Sequence, residues 1–437
     1  LRGQRFRPLW LHARVTGMDN RLNRVVVTGI GLVTPCGVGI DDFWSSMEAG
    51  RSGVAPITQF DASEFHTRIA AEVKDWDPVR FIEKRKVKEM DRFIEFAMGA
   101  AHLAVQDAQL ELTEEERDDA ACLVGVGMGG LGTIERCAQS LQQRGGGGRM
   151  SPYSIPSIIP NMAAGQISIR YGLRGACACL TNACASGANA LGAAMEAIRL
   201  GRASVAIAGG AEATVTPIGI GAFQAMFALS RRNDEPTRAS RPFDKGRDGF
   251  VCGEGAALLV LEPLERAKKR GAKIYAEMTG YGMSSDAYHA VQPAPEGRGA
   301  RRSMLKALAS AGLDASQVDY LNAHGTSTPQ GDAHECKAIL SVFGDHAKSG
   351  NLWVSSTKSM TGHLLGAAGA LEAAVCALSC ERGVVPPTIN VDDQDPECAL
   401  DVVPNEARRR KVRHALSNSF GFGGSNASVV FSRLDSM

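Results

Sequence analysis

The segment Arg24-Val25-Val26-Val27-Thr28-Gly29-Ile30-Gly31 places a run of β-branched residues directly before two glycines. Such a run predicts a buried strand that enters a tight turn at its glycines. The same ending returns in Thr279-Gly280-Tyr281-Gly282, at the end of a second predicted strand that starts at Ala276. A recurring Thr-Gly-x-Gly ending points to an internal duplication. Because few residues match and strand ends favour glycine in any case, this motif alone leaves the duplication undecided.

Predicted strands and helices alternate along the rest of the chain. The hydrophobic patterns predict strands at 121–127, 204–208, 318–325, 415–420 and 427–431, and helices at 90–108, 161–170 and 187–200. The last two strands have the spacing of a closing hairpin. The glycine-rich tract 144–149 is predicted to be a surface loop. This alternation is typical of an α/β fold with a largely parallel sheet.

Composition narrows the class of protein. The chain has 437 residues, 44% of them hydrophobic and 22% charged, which predicts one large composite domain or two domains and excludes extensive disorder. The formal net charge of +1 argues against a nucleic-acid binder that works through bulk electrostatics. No apolar run reaches the roughly 18 residues of a membrane span. Glycine is enriched, since 49 of 437 residues is about 11% against a usual ~7%.

The eleven cysteines do not form a recognisable framework. No Cys-x-x-Cys pair occurs, so the sequence predicts neither a zinc site nor a thioredoxin-like motif. Several cysteines lie in apolar runs, where a thiol behaves as a small hydrophobic group. We therefore expect a reducing compartment and one functional cysteine at most.

The start of the chain differs from the remainder. Residues 1–17 contain arginines but neither an acidic residue nor a serine, whereas transit peptides are usually rich in serine. We interpret residues 1–22 as a leader or extension, with Met18 as the natural start. The expected location is the cytoplasm, or an organelle matrix if residues 1–17 belong to a transit sequence.

The first candidate site is Thr181-Asn182-Ala183-Cys184-Ala185-Ser186-Gly187, immediately before an alanine-rich predicted helix. A cysteine at a helix N-terminus is close to unpaired N–H groups and to the positive end of the helix dipole, and both favour the thiolate. Small neighbours would let a substrate carbonyl approach, and the N–H of Cys184 could donate to an oxyanion. The alternative is a buried structural thiol.

Two histidines lie in glycine-rich and hydroxyl-rich turns. His324 lies in Asn322–Pro329 at the end of a predicted strand, where α/β sheets bind ligands. His363 precedes an Ala/Gly-rich helix whose lack of bulk predicts close packing against other backbone. Each histidine, taken alone, could instead be structural.

The last candidate is Asn418-Ser419-Phe420-Gly421-Phe422-Gly423-Gly424-Ser425-Asn426. Its glycines permit positive φ and expose backbone N–H groups. A phosphate loop is an alternative, but no Lys-Ser/Thr pair follows the glycines as it does in a P-loop.

In this order, Cys184, His324, Lys358, His363 and the Gly421–Asn426 loop resemble the β-ketoacyl-acyl-carrier-protein synthases of the elongating type. The resemblance extends over about residues 23–433. Three further segments carry it, at 161–168, 241–244 and 247–255.

The resemblance implies a thiolase fold. In that fold two duplicated halves, each with a mixed five-stranded sheet, form αβαβα layers, usually in a homodimer. The implied halves are residues 23–265, which carry the nucleophile and cap insertions, and residues 266–437, which carry the two histidines.

The resemblance also implies a condensation. Cys184 would attack the thioester of an acyl carrier protein and hold the acyl chain. His324 and His363 would then hydrogen-bond the thioester oxygen of malonyl carrier protein and stabilise the enolate left by loss of CO2. The carbanion would attack the acyl group and lengthen it by two carbons. No metal or redox cofactor is required, and neither nucleic acid nor membrane is an expected partner.

Further roles follow from the same resemblance. The N–H groups of Cys184 and Phe422 would form an oxyanion hole whose geometry Gly421 and Gly423 set. Phe422 would also be a gate that moves when the cysteine is acylated.

Other implied residues support the centre. Lys358, with Glu335, would orient the histidines and lower the pKa of Cys184, and Asp332 would support the same loop. Phe223 would line the acyl pocket and contact the gate, with a plain core aromatic as the alternative.

The basic run Lys84, Arg85, Lys86 and Lys88 would dock the acidic carrier, with a solvated helix face as the alternative.

Two positions depart from the family pattern. Asn182 replaces a residue that usually carries a hydroxyl, and Phe227 stands where a basic residue often helps bind the carrier's phosphate. We therefore expect altered hydrogen bonding near Cys184 and one altered carrier contact.

Three competing functions remain, and two of them would each differ from the condensing enzyme in one sequence feature. A polyketide ketosynthase would have the same catalytic residues. A thiolase needs a second cysteine in the C-terminal loop, and Gly421–Asn426 has none. A non-catalytic chain-length partner lacks the nucleophile, whereas Cys184 is present.

Overall fold

The computed structural model describes residues 22–144 and 150–434. The predicted leader, apart from Leu22, and residues 145–149 of the predicted glycine loop lie outside the described residues. The strands are β1 (Val25–Thr34), β2 (Gly37–Val38), β3 (Ala55–Pro56), β4 (Ile69–Ala70), β5 (Ala121–Gly125), β6 (Cys177–Leu180), β7 (Ala206–Glu212), β8 (Gly255–Pro263), β9 (Ala276–Ser285), β10 (Tyr320–Asn322), β11 (Trp353–Ser355), β12 (Val384–Val385), β13 (Arg408–Arg409), β14 (His414–Gly421) and β15 (Ser425–Ser432).

The α-helices connect and cover these strands. They are α1 (Ile40–Glu48), α2 (Lys84–Val87), α3 (Arg92–Ala108), α4 (Glu114–Asp118), α5 (Leu131–Arg144), α6 (Ser154–Ile158), α7 (Met162–Tyr171), α8 (Ser186–Arg199), α9 (Pro217–Ala225), α10 (Leu264–Lys269), α11 (Arg298–Ala311), α12 (Pro329–Lys348), α13 (Lys358–Thr361) and α14 (Ala368–Arg382).

Two sets of five strands repeat one pairing pattern. The first set has the order β6-β5-β7-β8-β1 and the second has the order β11-β10-β14-β15-β9. In each set the first three strands pair in parallel, and the remaining two pairs are antiparallel. The predicted duplication is therefore confirmed. A short antiparallel contact, Val26 with Glu277 and Val27 with Ala276, joins the two sets.

The helices complete the predicted αβαβα layers. Helix α3 packs on β1 and β8, and α11 packs on β9 and β15, as the outer layers. Helices α8 and α14 each contact strands of both sets, so they form the middle layer. Every residue of α14 from Ala368 to Cys380 is buried. A Cβ added at Gly187 in α8 would lie 2.9 Å from the backbone nitrogen of Ala370, so the expected close packing of the Ala/Gly-rich helix is confirmed.

The predicted turn at Gly29 and Gly31 is wrong, because β1 continues through both residues to Thr34. A Cβ at either glycine would collide with the backbone of α3. Gly280 and Gly282 lie inside β9 in the same way, and a Cβ there would collide with the backbone of α11. The repeated Thr-Gly-x-Gly motif thus marks where each outer helix packs directly on its strand.

The predicted ends of two other strands, each placed next to glycines, were also wrong. The strand predicted at 121–127 ends at Gly125. The strand predicted at 204–208 instead continues through Gly209 and Gly210 to Glu212. The partner strands set both ends. The last residue of β5 that is paired with β6 and β7 is Gly125, whereas β7 remains paired with β8 up to Glu212.

Candidate active site

Four of the predicted segments meet around one cavity of about 820 Å³. Cys184 lies in the turn between β6 and α8, and His324 follows β10. His363 follows α13, and Phe422 lies in the turn between β14 and β15. All four side chains line the cavity. Residues from both halves of the chain are therefore brought together, as expected.

The two histidine rings form one wall of the cavity. Their centroids are 5.2 Å apart and their planes are nearly perpendicular, at 86°. Phe250 packs against His363 and Phe420 packs against His324, with centroids 5.4 Å and 5.6 Å apart. This aromatic packing holds the imidazoles in place on their apolar sides.

Both imidazoles are neutral at neutral pH. Burial lowers the pKa of His324 and of His363 well below its usual value, and the nearby Lys358 ammonium lowers it further. A neutral imidazole carries one N–H, so each ring can donate one hydrogen bond to a substrate oxygen.

Lys358 is buried behind the histidines, with its side chain only 1% exposed, and forms an ion pair with Glu372. Among the described residues, the ion-pair partner of Lys358 is Glu372 and not Glu335, and the implied joint action of Lys358 and Glu335 on the histidines stays a prediction. Sequence reasoning missed Glu372, although an acid within the apolar run from Ala368 to Cys380 was a usable signal, because buried acids need partners. Burial raises the pKa of Glu372 to about 7, and the Lys358 ammonium acts against this rise.

Glu335 acts on the backbone of the His324 loop. Its carboxylate accepts hydrogen bonds from the N–H groups of His324 and Gly325, at 2.9 Å and 2.7 Å, and from Nδ2 of Asn418 at 3.1 Å. This positions His324 through its main chain, and the Lys358 ammonium counteracts the rise that burial causes in the pKa of Glu335.

Asp332 binds the backbone of the same loop at Ser327, three residues after His324, and the backbone of Phe243. It accepts hydrogen bonds from the N–H groups of Phe243, at 3.0 Å, and Ser327, at 3.2 Å. The guanidinium of Arg247 lies 3.7 Å from the carboxylate. The placement of Asp332 agrees with a supporting role.

The surroundings of Cys184 favour the thiol over the expected thiolate. Burial raises its pKa to about 12, and the Lys358 charge offsets this only in part. Helix α8 begins two residues later, at Ser186. The preceding Ala183 has φ of +49°, a left-handed turn that directs the cysteine into the cavity. The departure at Asn182 leaves this turn closed, because its N–H donates to Ser186 Oγ at 2.8 Å.

The Gly421–Asn426 loop approaches the nucleophile closely. A Cβ at Gly421 would lie 2.8 Å from the carbonyl oxygen of Asn182 and 3.0 Å from the nitrogen of Cys184, so only glycine fits without displacement. Gly423 has φ of +77° with open space around its Cα. Phe422 lies between these two glycines and is 36% exposed.

Asp286 ties this loop to the segment after β9, and sequence reasoning missed it. Its carboxylate accepts hydrogen bonds from Nδ2 of Asn426, at 2.8 Å, and from the N–H of Ala294, at 3.0 Å. Its own N–H donates to the carbonyl of Gly424 at 2.9 Å. No sequence signal distinguished Asp286 from other acids after predicted strands.

Glu212 was also missed, and it lines the floor of the cavity. Its carboxylate accepts hydrogen bonds from the N–H groups of Gly127 at 2.8 Å, Met128 at 3.1 Å and Gly366 at 3.1 Å. Burial raises the pKa of Glu212 to about 7. Its position two residues after the glycine pair Gly209-Gly210 was the available signal.

Two phenylalanines lie on the apolar side of the cavity. Phe223 lines it and packs edge-to-face on Phe250 at 5.3 Å, as expected for a pocket residue. Among the ring contacts of the described residues, Phe223 contacts Phe250 and makes none with Phe422. Phe227 lines the cavity but is 78% exposed, which places it at the mouth.

The predicted docking segment lies on the surface. Lys84, Arg85 and Lys88 are exposed and Lys86 is half-buried. Arg85 and Lys86 pair with Glu83 at 2.9 Å and 3.7 Å. The structure therefore does not place this segment in the cavity wall.

Residues 22–144 and 150–434 contain no group of three or more His, Cys, Asp or Glu arranged to hold a metal ion. No helix in this described part of the chain is long and apolar enough to cross a membrane.

Comparison with known proteins agrees with this geometry. The family models for the β-ketoacyl synthase N-terminal and C-terminal domains match residues 22–267 and 275–392. A 3-oxoacyl-[acyl-carrier-protein] synthase 2 from Coxiella burnetii is 50% identical over 411 residues, which are 94% of this chain and 99% of that protein.

Solved structures are similar over the same length. A β-ketoacyl synthase from Burkholderia phymatum is 38% identical with a TM-score of 0.87, over 94% of this chain and all of that one. A type II polyketide ketosynthase, solved in complex with its acyl-carrier protein, is 35% identical with a TM-score of 0.86, over 95% of this chain and all of that one. The chain belongs to the β-ketoacyl synthase family.

Proposed function

We propose that this acyltransferase condenses an acyl group held on Cys184 with malonyl carrier protein, giving 3-oxoacyl carrier protein in fatty-acid elongation. The observation that carries the proposal is the meeting of Cys184, His324 and His363 in one largely apolar cavity, with both histidines neutral. The synthase 2 relative, half identical over 94% of the chain, supports the same assignment.

The first step is acyl transfer to Cys184. Because the resting group is a thiol, its proton must move to a base as sulfur attacks the thioester carbon, and a neutral imidazole in the cavity can accept it. The departing carrier thiolate then takes up a proton. The N–H groups of Cys184 and Phe422 would stabilise the tetrahedral oxyanion, and loss of one such donor costs roughly 3–4 kcal/mol.

The second step is decarboxylation and carbon–carbon bond formation. The N–H donors of His324 and His363 would bind the malonyl thioester oxygen as the C–CO2 bond breaks, so that the electron pair is held as an enolate. That carbanion attacks the acyl carbonyl on Cys184. The bond between the acyl carbon and the sulfur of Cys184 breaks, 3-oxoacyl carrier protein leaves, and the cysteine thiolate takes up a proton from solvent.

A polyketide ketosynthase is the second candidate. It is favoured by the structural similarity to the type II polyketide ketosynthase at 35% identity. The higher identity of 50% to a synthase 2 relative favours the fatty-acid reaction. The absence of a cysteine in Gly421–Asn426 disfavours a thiolase, and the presence of Cys184 disfavours a non-catalytic partner subunit.

We further propose that the enzyme works with an acyl carrier protein and as a homodimer. Exposed Lys84, Arg85 and Lys88, with half-buried Lys86, are suited to an acidic carrier.

The homodimer proposal rests on an open sheet edge. Within the described chain, β6 pairs only with β5, so its outer edge is open, and Cys177 on it is exposed. At the other end of the sheet, the N–H of Val354 in β11 is bonded to the carbonyl of Asp401 at 2.9 Å.

The dimer has its own test. Light scattering after gel filtration should give twice the mass of one chain, and Cys177→Pro, which removes an N–H from the outer edge of β6, should lower the mass to that of a monomer. A monomeric wild type would overturn the dimer proposal but would leave the proposed reaction unaffected.

We also propose that the halves divide between residues 265 and 266, that residues 1–22 are a leader, and that the enzyme acts in the cytoplasm.

Intact-mass measurement tests the reaction directly. Wild-type enzyme incubated with acyl carrier protein should gain the mass of one acyl group, and malonyl carrier protein should then remove it as 3-oxoacyl product. Cys184→Ala should gain no mass, whereas His363→Asn should gain the acyl group and keep it. Equal uptake by wild type and Cys184→Ala would defeat the assignment.

A further inference from the structure

Phe227 combines two features that folding alone does not explain. Its side chain is 78% exposed, the highest exposure among the large apolar side chains described here. Its backbone has φ of +54°, in the left-handed region that a bulky residue rarely adopts. An exposed ring contributes little burial and a left-handed aromatic residue adds strain, so the fold gains nothing from this side chain.

The ring has one contact of chemical interest. The guanidinium carbon of Arg231 lies 5.6 Å from the centroid of the Phe227 ring. Arg231 is exposed, and within the described residues its side chain forms no ion pair. The carboxylate of Asp248 accepts the backbone N–H of Arg231 at 3.1 Å and lies 3.9 Å from the guanidinium of Arg232. Arg231 thus presents an unneutralised guanidinium, held by an aromatic face.

This pair stands at the mouth of the catalytic cavity. Phe227 lines the cavity together with four other large apolar residues that are 41–47% exposed. These are Met128, Ile218, Met226 and Val291. A thioester arm that brings its acyl carbon to Cys184 must leave the cavity across this apolar rim. The outer end of the arm, where a phosphodiester joins it to the carrier, would then emerge beside Arg231.

We propose that Arg231 binds this phosphodiester and that Phe227 is the positioning residue that holds the guanidinium at the mouth. The inference rests on the proposed function, because a carrier-bound thioester is what brings a phosphodiester there. A guanidinium suits the ligand, since its planar set of N–H groups matches two phosphate oxygens. The ring beneath it restricts the side chain and so reduces the ordering that binding requires.

Substrates that differ only in the phosphate test this contact. Acyl transfer to Cys184 is measured with an acyl-phosphopantetheine thioester, with the acyl-pantetheine thioester that lacks the phosphate, and with acyl carrier protein. Arg231→Gln should raise KM for the phosphorylated thioester and the carrier about three- to fivefold, as for an exposed ionic contact, with kcat unchanged. It should leave the KM of the unphosphorylated thioester unaltered.

Two variants separate this role from a structural one. Phe227→Gly should raise KM for the phosphorylated thioester in the same direction while its melting temperature stays equal or rises, because glycine accepts the left-handed backbone. Arg202→Gln is the matched control, since Arg202 is an exposed arginine without an ion pair beyond the far end of α8 from Cys184. It should change none of the three KM values.

Each remaining outcome overturns the proposal. Unchanged KM values in Arg231→Gln exclude the contact while the proposed function stands. An effect on the carrier alone assigns Arg231 to carboxylates of the carrier protein, and an equal effect on both small thioesters excludes the phosphate. If wild type accepts an acyl group from none of the substrates, the proposed function fails and this inference fails with it.

Discussion

Lys358 and Glu372 form an ion pair in which the two side chains are only 1% and 3% exposed. The pair lies behind the histidines, and the Lys358 charge is one of the causes that lower the pKa of both imidazoles. The same charge acts against the rise in the pKa of Cys184. One buried cation therefore adjusts three groups of the site without lining the cavity itself.

Breaking this pair should destabilise the protein strongly. Glu372→Gln leaves a buried ammonium without a counter-charge, and we expect a loss of about 3–5 kcal/mol in the free energy of unfolding. Urea unfolding measures it. The matched control is Asp393→Asn, which breaks the exposed pair of Lys245 and Asp393 and should cost at most about 1 kcal/mol. Equal losses in the two variants would contradict the buried ion pair.

Replacing both partners separates stability from chemistry. The double variant Lys358→Met with Glu372→Leu removes the charge together with its counter-charge, so most of the lost stability should return. The cation that lowers the histidine pKa values is then absent, so those values should rise. Histidine NMR titrations measure the pKa values of the two histidines in the double variant.

The same titrations test wild type. There, His324 and His363 should stay neutral from about pH 8 to about pH 6.5, where an ordinary histidine is half protonated.

Two glycines of one loop should respond differently to alanine. Gly421→Ala places a methyl group against Asn182 and Cys184, so the nucleophile must shift, and we expect acyl transfer to fall about a hundredfold, as for a displaced catalytic group. Gly423→Ala meets open space and only the strain of positive φ, so it should cost about 1 kcal/mol of stability and far less activity. Similar rates for the two variants would count against close approach as the cause.

The thiol state of Cys184 predicts the pH dependence of its alkylation. With a pKa of about 12, the thiolate fraction should rise tenfold per pH unit through the whole accessible alkaline range. Iodoacetamide labelling followed by peptide mapping measures the rate at this residue separately from exposed Cys177. A rate that levels off near the ordinary cysteine value of about 8.5 would show that burial does not control this thiol.

Phe422 is expected to act as a gate. Phe422→Ala should change the rate or the chain-length preference of acyl transfer, because the ring lines the cavity between two glycines. Its 36% exposure predicts little loss of stability, which urea unfolding checks. If transfer rates across acyl lengths match those of wild type, Phe422 is not a gate.

Sequence patterns predicted the site well where chemistry is local. The nucleophile turn, the two histidine turns and the glycine loop each carry their residue types in adjacent positions, so Cys184, His324, His363 and Phe422 could be named. The ion-pair partner of Lys358 was not predicted, because Glu372 is fourteen residues away along the chain and no local pattern links the two. Only the folded chain brings the two side chains together.

The sequence by itself determined an α/β fold, a duplicated strand motif and the candidate reactive residues, because these depend on local pattern and residue type. Tertiary structure decided what depends on the surroundings of a residue. Gly29 and Gly31 are contacts between strand and helix, and the approach of α3 cannot be seen along the chain. The pKa of Cys184 is raised and not lowered for a similar reason, since burial outweighs the nearby charge and burial is a property of the folded chain.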